Sequence, residues 1–391
     1  MTAAAHFLHQ TRAAGSEQAR WDPVVLFTFT ALLSIGMLMV YSASLPVAIQ
    51  TTGNGFSIVF RHLVHLVIGL GLMFLVMHTR VRYWQVMGPY LLLGGIALLI
   101  LVLIPGFGVH VNGSSRWLNL GLFNMQPSEF AKLFVVIYMA GYLVRRQDRL
   151  REFVPGIVMI SLVVAIIGVL LLQEPDLGSL AVISATVLAM MFLAGVRFLH
   201  FMMIMATGIG GMIILTMIAP YRMNRIAGFI DPWADPFNTG FQLVQALIAF
   251  GRGEWFGVGL GASIQKLSYL PAAHTDFLLA ILAEELGLLG VLTVIVLFAI
   301  LVFRAMKIAQ LAEFAGQIFA ARLCQGIAVL FGVQALINMG VNMGLLPTKG
   351  LTLPLMSAGG SSLIVSSISV GLLLLVEREI RTKSWPQKKS A

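Results

Sequence analysis

The sequence predicts an all-α polytopic membrane protein with ten transmembrane helices and a long extracytoplasmic loop between the seventh and eighth. Three observations carry this expectation. Hydrophobic residues make up 59% of the 391 residues and charged residues only 10%, with a mean hydropathy of +0.93, which excludes an ordinary soluble domain. Ten apolar runs approach the length, about 20 residues, that crosses roughly 30 Å of hydrocarbon. Between 220 and 276 lies a stretch too polar to span and too long for a simple connection, the mark of a functional cap.

The first twenty residues are polar and lack the n-region, short h-region and cleavage site of a signal peptide. The run from Val24 to Ser44 is therefore expected as a retained first span behind a cytoplasmic segment, 1–23. Further spans are expected at 62–79, 86–105, 130–144, 154–173, 178–195, 198–219, 277–303, 319–343 and 361–376, so that the membrane domain is 24–376, followed by a basic tail, 377–391. Arg80, Arg82, Arg145, Arg146, Arg149, Arg304, Lys307, Arg322 and the cations of the tail fall on one side of this layout. The other side keeps a smaller set: Arg61, Arg116, Lys132, Arg222, Arg225, Arg252, Lys266 and Lys349. The bias places both termini in the cytoplasm.

A formal charge of +9 in such a chain reports topology and anionic headgroups, not nucleic acid, because no basic stripe with interleaved aromatics accompanies it. The single cysteine, Cys324, lies in an apolar run and excludes an intrachain disulfide or a thiolate metal cluster. No internal or inverted repeat announces a solenoid or a transporter.

The outer cations resist the insertion bias, so each needs a reason to be there. In the stretch Val111 to Leu133, Asn112, Gly113 and Ser114 form a turn signal, and Gln126-Pro127-Ser128-Glu129 reads as a helix start. Arg116 and Lys132 suit a phosphate or diphosphate headgroup; snorkelling to lipid phosphate accounts for them equally. Trp117 is either an aromatic-belt anchor or a platform for a sugar ring. Glu174-Pro175-Asp176 reads as a tight turn whose Asp176 caps the sixth span, with a second reading in which it holds a cavity open or positions a cation. The segment from Gly240 to Gly251 has helical spacing and is expected to lie along the interface. Lys349 stands between two prolines and beside a glycine, a rigid presentation. Ser357, Ser361 and Ser362 lack a nucleophile elbow and read as packing and capping residues.

The chain is organised around Ser268 to Gly287. Asp276 sits where a polar loop meets the eighth span. It reads either as a helix cap shared with Thr275, or as a shielded carboxylate whose raised pKa suits a general base. His274 beside it can orient it, cap the loop or relay a proton. Glu284 and Glu285 lie roughly 12 Å deeper at about 1.5 Å per residue and are expected to pair with cations or polar groups inside the bundle.

Taken together, these motifs resemble one family. They are Tyr41-Ser42-Ala43-Ser44, Ser115-Arg116-Trp117-Leu118 with Gln126-Pro127-Ser128-Glu129, Glu174-Pro175-Asp176-Leu177-Gly178, Leu270-Pro271 through His274-Thr275-Asp276-Phe277 with Glu284-Glu285-Leu286-Gly287, and Asn338 through Gly360. They are similar to the SEDS polytopic glycosyltransferases that polymerise peptidoglycan, whose division and elongation branches are the FtsW and RodA types. Pro347-Thr348-Lys349-Gly350-Leu351-Thr352-Leu353-Pro354 and Ala249-Phe250-Gly251-Arg252-Gly253-Glu254 look like the division branch.

The resemblance implies a ten-span inner-membrane enzyme of the septum that joins lipid II into β-1,4 glycan strands and releases undecaprenyl diphosphate. Asp276 would be the catalytic base, and Arg116, Trp117, Lys132, His274 and Lys349 would form the substrate site. It implies a class B penicillin-binding transpeptidase of division (FtsI type) as partner, with divisome regulators of the FtsQ, FtsL, FtsB and FtsN types. It assigns no metal ligand and leaves a divalent cation as the one candidate cofactor. Ala272 and Ser268 stand where relatives often carry acids, which weakens the loop as a cation holder. Rival readings are a lipid II flippase, in which His274, Asp276, Glu284 and Glu285 line an ion path, and a non-catalytic divisome scaffold.

Overall fold

The computed structural model describes residues 21–111, 114–119, 121, 124–150, 152, 158–218 and 220–383. The N-terminal segment before 21, the tail beyond 383, the Asn112-Gly113 turn signal and positions 154–157 of the fifth apolar run lie outside the described residues.

Each expected span coincides with a helix. These are α1 (Pro23–Thr52), α2 (Ser57–Met77), α3 (Val81–Leu103), α4 (Pro127–Arg145), α5 (Met159–Gln173), α6 (Leu177–Leu193) and α7 (Phe198–Ile218), then α10 (Leu278–Phe314), α11 (Ile318–Asn342) and α12 (Gly360–Lys383). Eight of them are long and apolar enough to cross a membrane, and α5 and α6 are shorter apolar helices. Helix starts follow the local chemistry: Asp22 caps α1 by accepting from Val24 N at 2.8 Å and Val25 N at 3.1 Å, with Pro23 in the first turn.

Helices α4, α11 and α12 are the most enclosed and form the centre of the bundle, with α2 against α12, α10 against α11 and α1, and α6 against α4 and α11. The buried face of α12 carries Ser366, Ser367 and Ser369. Ser367 and Ser369 return their hydroxyls to carbonyls one turn earlier, each at 2.8 Å. Small side chains with self-satisfied hydroxyls let helices approach closely where lipid supplies no hydrophobic drive.

Two features differ from the expectation. The connection between α3 and α4 is not loop alone, so the chain is mostly rather than wholly helical: β1 (Gly108–Val111), β2 (Ser114–Asn119) and β3 (Asn124–Met125) form an antiparallel sheet in that order. Val109 faces Trp117 and Leu118 faces Met125 across the ladders. Val109, Val111 and Trp117 favour extended backbone, and a segment seated on the bundle must pair its amides.

The long loop holds α8 (Pro220–Ile230) and α9 (Phe241–Gly253). The second of these buries Leu243, Val244, Ala246 and Ala249 against α10 instead of lying along an interface. Its moment points at protein because α10 is open to receive it.

That opening is a break in α10 at Gly287, whose φ of 67° and ψ of −166° leave the helix. The segment after α9 is stitched into the gap. Leu288 and Leu289 amides donate to the Glu254 and Trp255 carbonyls at 2.9 and 3.2 Å, and Val258 and Gly259 amides donate to Glu284 and Glu285 carbonyls at 2.9 and 3.1 Å. A Cβ on Gly287 would lie 2.4 Å from Gly257 N. Only glycine fits the conformation and the approach, and these four hydrogen bonds give backbone groups at the break partners from the inserted segment.

Candidate active site

Asp276 ends the long loop at the mouth of α10. The helix is capped at Phe277 with no side-chain hydrogen bond, so the expected capping role of Asp276 is not realised. Its main-chain oxygen does the structural work, accepting from Asn338 Nδ2 at 3.0 Å and Asn342 Nδ2 at 2.9 Å on α11. Asn342 Oδ1 also accepts from Ala280 N at 3.2 Å. The carboxylate is thereby held in place yet left available.

It is half-buried, and burial pushes it up to about 6, opposed by Arg116, reinforced by Asp176 and opposed again by Arg225. Arg116 comes from β2. Its Nε donates to Glu174 O at 2.9 Å and its Nη2 to Pro175 O at 2.7 Å. The remaining nitrogen, Nη1, and Asp276 Oδ2 flank one point on the opposite loop: a Cβ on Gly350 would lie 3.9 Å from the first and 3.3 Å from the second. Three separate elements, the sheet, the α10 mouth and the loop before α12, converge here.

Other residues frame this point. Arg225 Nη1 on α8 donates to Thr348 O at 3.4 Å, fastening the cap to the Lys349 loop. Lys349 is half-buried in that loop, beside the Gly350 that approaches Asp276. Leu351 O accepts from Asn338 Nδ2 at 2.5 Å, so a single asparagine ties both Asp276 and the 349–351 loop to α11. Asp176 caps α6 as expected, accepting from Ser179 N at 3.0 Å, and also receives Ser128 Oγ at 3.0 Å. His274 is held through its carbonyl, which accepts from Ala358 N at 2.9 Å. Burial lowers its pKa, and its Nδ1 has no hydrogen-bond partner among the described residues.

Two expected substrate contacts are placed differently. Lys132 is buried, 1% exposed, with Nζ on Glu129 Oε1 at 2.8 Å and Gln334 Oε1 at 2.9 Å. It presents no charge at the outer surface. Gln334 Nε2 donates on to Thr352 O at 3.1 Å, so the lysine braces the loop before α12. Desolvation explains the difference: an ammonium in a helix interior stays charged only by taking a buried carboxylate. Trp117 follows Arg116 on β2, and the alternation of a strand turns it to the opposite face from the Arg116–Asp276 pair.

The roles of Asn338, Asn342, Gln334 and Gly350 escaped the reading of single motifs. Asn338 and Asn342 did carry a signal, two amides one turn apart on an otherwise apolar helix. Glu284 and Glu285 behave as expected. Glu284 receives Arg252 Nη1 at 2.8 Å, Ile264 N at 3.0 Å and Ser263 Oγ. Glu285 receives Lys266 Nζ at 2.8 Å and Ser42 Oγ at 2.7 Å.

A protein-held divalent cation does not fit these donors. Among the described residues no three His, Cys, Asp or Glu side chains gather at metal-binding range, and Asp176 is spent on Ser128 and Ser179.

Gly350 offers a direct check of the convergence. Its replacement by Ala puts a methyl beside Asp276 Oδ2 in a backbone that tolerates alanine. Reconstituted activity of Gly350→Ala is expected to fall by about tenfold or more through misplacement of reacting groups, with thermal stability nearly unchanged.

The chain is similar to known proteins over most of its length. The FtsW/RodA/SpoVE family model, described as a cell cycle protein, matches residues 23–382. A probable peptidoglycan glycosyltransferase FtsW of Nitrosococcus halophilus (strain Nc4) is 52% identical over 375 residues, covering 96% of this chain and 97% of that one. The protein of the same description from Pseudomonas fluorescens (strain SBW25) is 51% identical, covering 90% and 86%. Among solved structures, a chain from work titled "Structural coordination of polymerization and crosslinking by a peptidoglycan synthase complex" superposes with a TM-score of 0.74 at 28% identity, covering 92% of this chain and 98% of that one. The rod shape determining protein RodA of Thermus thermophilus gives a TM-score of 0.67 at 27% identity, covering 92% and 97%. With its family match running from the first helix to the last, the chain belongs to the FtsW/RodA/SpoVE family.

Proposed function

We propose that this chain is the peptidoglycan glycosyltransferase of septal cell-wall synthesis, polymerising lipid II into β-1,4 glycan strands. The observation that carries the reading is a carboxylate, Asp276, fixed by its backbone at a helix mouth, raised in pKa and faced by an anchored guanidinium. Asp276 takes the proton from the acceptor's GlcNAc 4-hydroxyl as that oxygen attacks the donor's anomeric carbon. The new glycosidic C–O bond forms as the bond to the diphosphate breaks, with inversion, and the electron pair leaves on undecaprenyl diphosphate. Arg116, with Lys349 and Arg225 on the facing elements, offsets the charge that develops on the leaving group. Lys132 acts behind the loop, not on substrate.

The same reading takes α5 and α6 as spans, making ten in all, with both termini cytoplasmic and the 220–276 loop extracytoplasmic. The fold neighbour from a peptidoglycan synthase complex supports a class B transpeptidase partner; a septal location and divisome regulators are part of the same proposal. The break in α10 beside two acids is the feature a flippase would need. However, Glu284 and Glu285 are paired with Arg252 and Lys266, so two of the four residues such an ion path would need are committed to structure.

The test is polymerisation of purified lipid II by the purified chain with its transpeptidase partner in detergent micelles, where translocation has no meaning. Glycan strands resolved by electrophoresis are expected. Their absence, with lipid II transport retained in vesicles, would sink the polymerase in favour of the flippase.

A further inference from the structure

The turn between α5 and α6 holds a carboxyl group that the mechanism above does not use. Glu174 is fully buried, and neither of its carboxyl oxygens has a hydrogen-bond partner among the described residues. Buried polar atoms without partners are rare, and an ionised carboxylate without donors is the costliest kind. Its backbone is engaged: the Glu174 carbonyl accepts from Arg116 Nε and the adjacent Pro175 carbonyl from Nη2. The residue that carries the orphan carboxyl is therefore half of the cradle that aims Arg116 at Asp276.

We propose that Glu174 is a positioning residue that must stay a neutral acid, and that its ionisation draws Arg116 off the catalytic carboxylate. This rests on the polymerase reading. Burial and the neighbouring Asp176 charge push Glu174 up to about 8, against the pull of Arg116. The charged groups around it are few. Asp176 shares its turn and Arg116 faces it from β2, while Asp276 and Arg225 lie beyond Arg116. The helix α6 and the outer half of α3 contain no ionisable residue, and Glu129 and Lys132 on α4 neutralise each other.

Among the described residues, the one cation that acts on Glu174 is Arg116. Arg116 would exchange two neutral carbonyl acceptors for a carboxylate, a stronger acceptor for a guanidinium, and Asp276 would lose its counter-charge. Below the transition the cradle is made of carbonyls alone and the guanidinium stays aimed outward.

The experiment measures lipid II polymerisation by the full chain with its transpeptidase partner from pH 6.5 to 9.5. Each variant is normalised to its own maximum, and the melting temperature is recorded across the same range. The wild-type rate is expected to fall toward tenfold per pH unit above about 8, whereas the melting temperature falls as pH rises toward about 8 and levels above it, because only between the unfolded and folded values does the folded state hold the extra proton. Glu174→Gln, a neutral group of the same size, is expected to flatten both the alkaline rate limb and the fall in melting temperature. An alkaline limb that survives in Glu174→Gln overturns the proposal. A Glu174→Gln chain that is inactive or unfolded at pH 7.5 does so too, because there a neutral group replaces one held to be neutral already. If the wild type forms no glycan at all, the polymerase reading fails. The melting profile then still decides whether Glu174 is buried as a neutral acid.

Discussion

Asp276→Asn is expected to lower glycan polymerisation by about 10²–10⁴-fold, the usual contribution of a positioned general base, while the melting temperature stays level or rises. The amide keeps the shape, and the main-chain oxygen still receives Asn338 and Asn342, so the loop stays docked. The sign of the stability change follows from linkage. The carboxyl is raised from 3.8 to about 6 in the folded chain, so between those values the folded state binds more protons and stability falls as pH rises. The ionised form at neutral pH is thus the less stable one, and an uncharged replacement removes that cost. For the wild type, activity is expected to climb through about pH 6 as Asp276 ionises, and a rate profile measured from pH 5 to 7.5 checks it. Loss of activity accompanied by a large drop in melting temperature would instead mean that the residue is structural.

The second large effect concerns stability. Lys266 and Glu285 are 8% and 0% exposed, 2.8 Å apart, and Lys266 Nζ also meets Ser42 Oγ at 2.8 Å. Lys266→Met leaves a buried carboxylate without its cation, and thermal unfolding in detergent is expected to show a loss of roughly 3–5 kcal/mol. Lys266→Met combined with Glu285→Leu removes both charges and is expected to recover most of that loss, since an apolar pair of similar volume replaces the ion pair. If the double variant is as unstable as the single, the pair acts through geometry and not through charge. Activity reports on the same event: Lys266 belongs to the loop stitched into α10, and its release lets the segment leading to Asp276 drift.

Much of the fold was legible in advance because hydrophobic length is a local property. Among the described residues every apolar run became a helix, and Asp276 stands at the N-terminal mouth of the helix formed by the eighth run. The sheet was missed, since short extended segments carry a weak signal beside such strong helical ones. The fate of the cations was only half legible. Arg116 and Lys132 read alike as outer cations, yet one is cradled by two carbonyls beside Asp276 and the other is sealed against Glu129 and Gln334. Composition around a lysine does not say whether its neighbours in space hold a buried acid.

The sequence by itself determined a helical membrane chain, the sites of its helices and the candidacy of Asp276, because span length, polarity and motif chemistry are written residue by residue. Only the tertiary structure decided that Asp276 is not a cap, that Gly350 and Arg116 meet it, that α10 breaks to admit the loop and that Glu174 is buried without a donor. Each of these depends on which distant segments share a few ångströms. In a medium that penalises every unpaired charge and amide, that sharing determines which polar groups are spent on structure and which remain for chemistry.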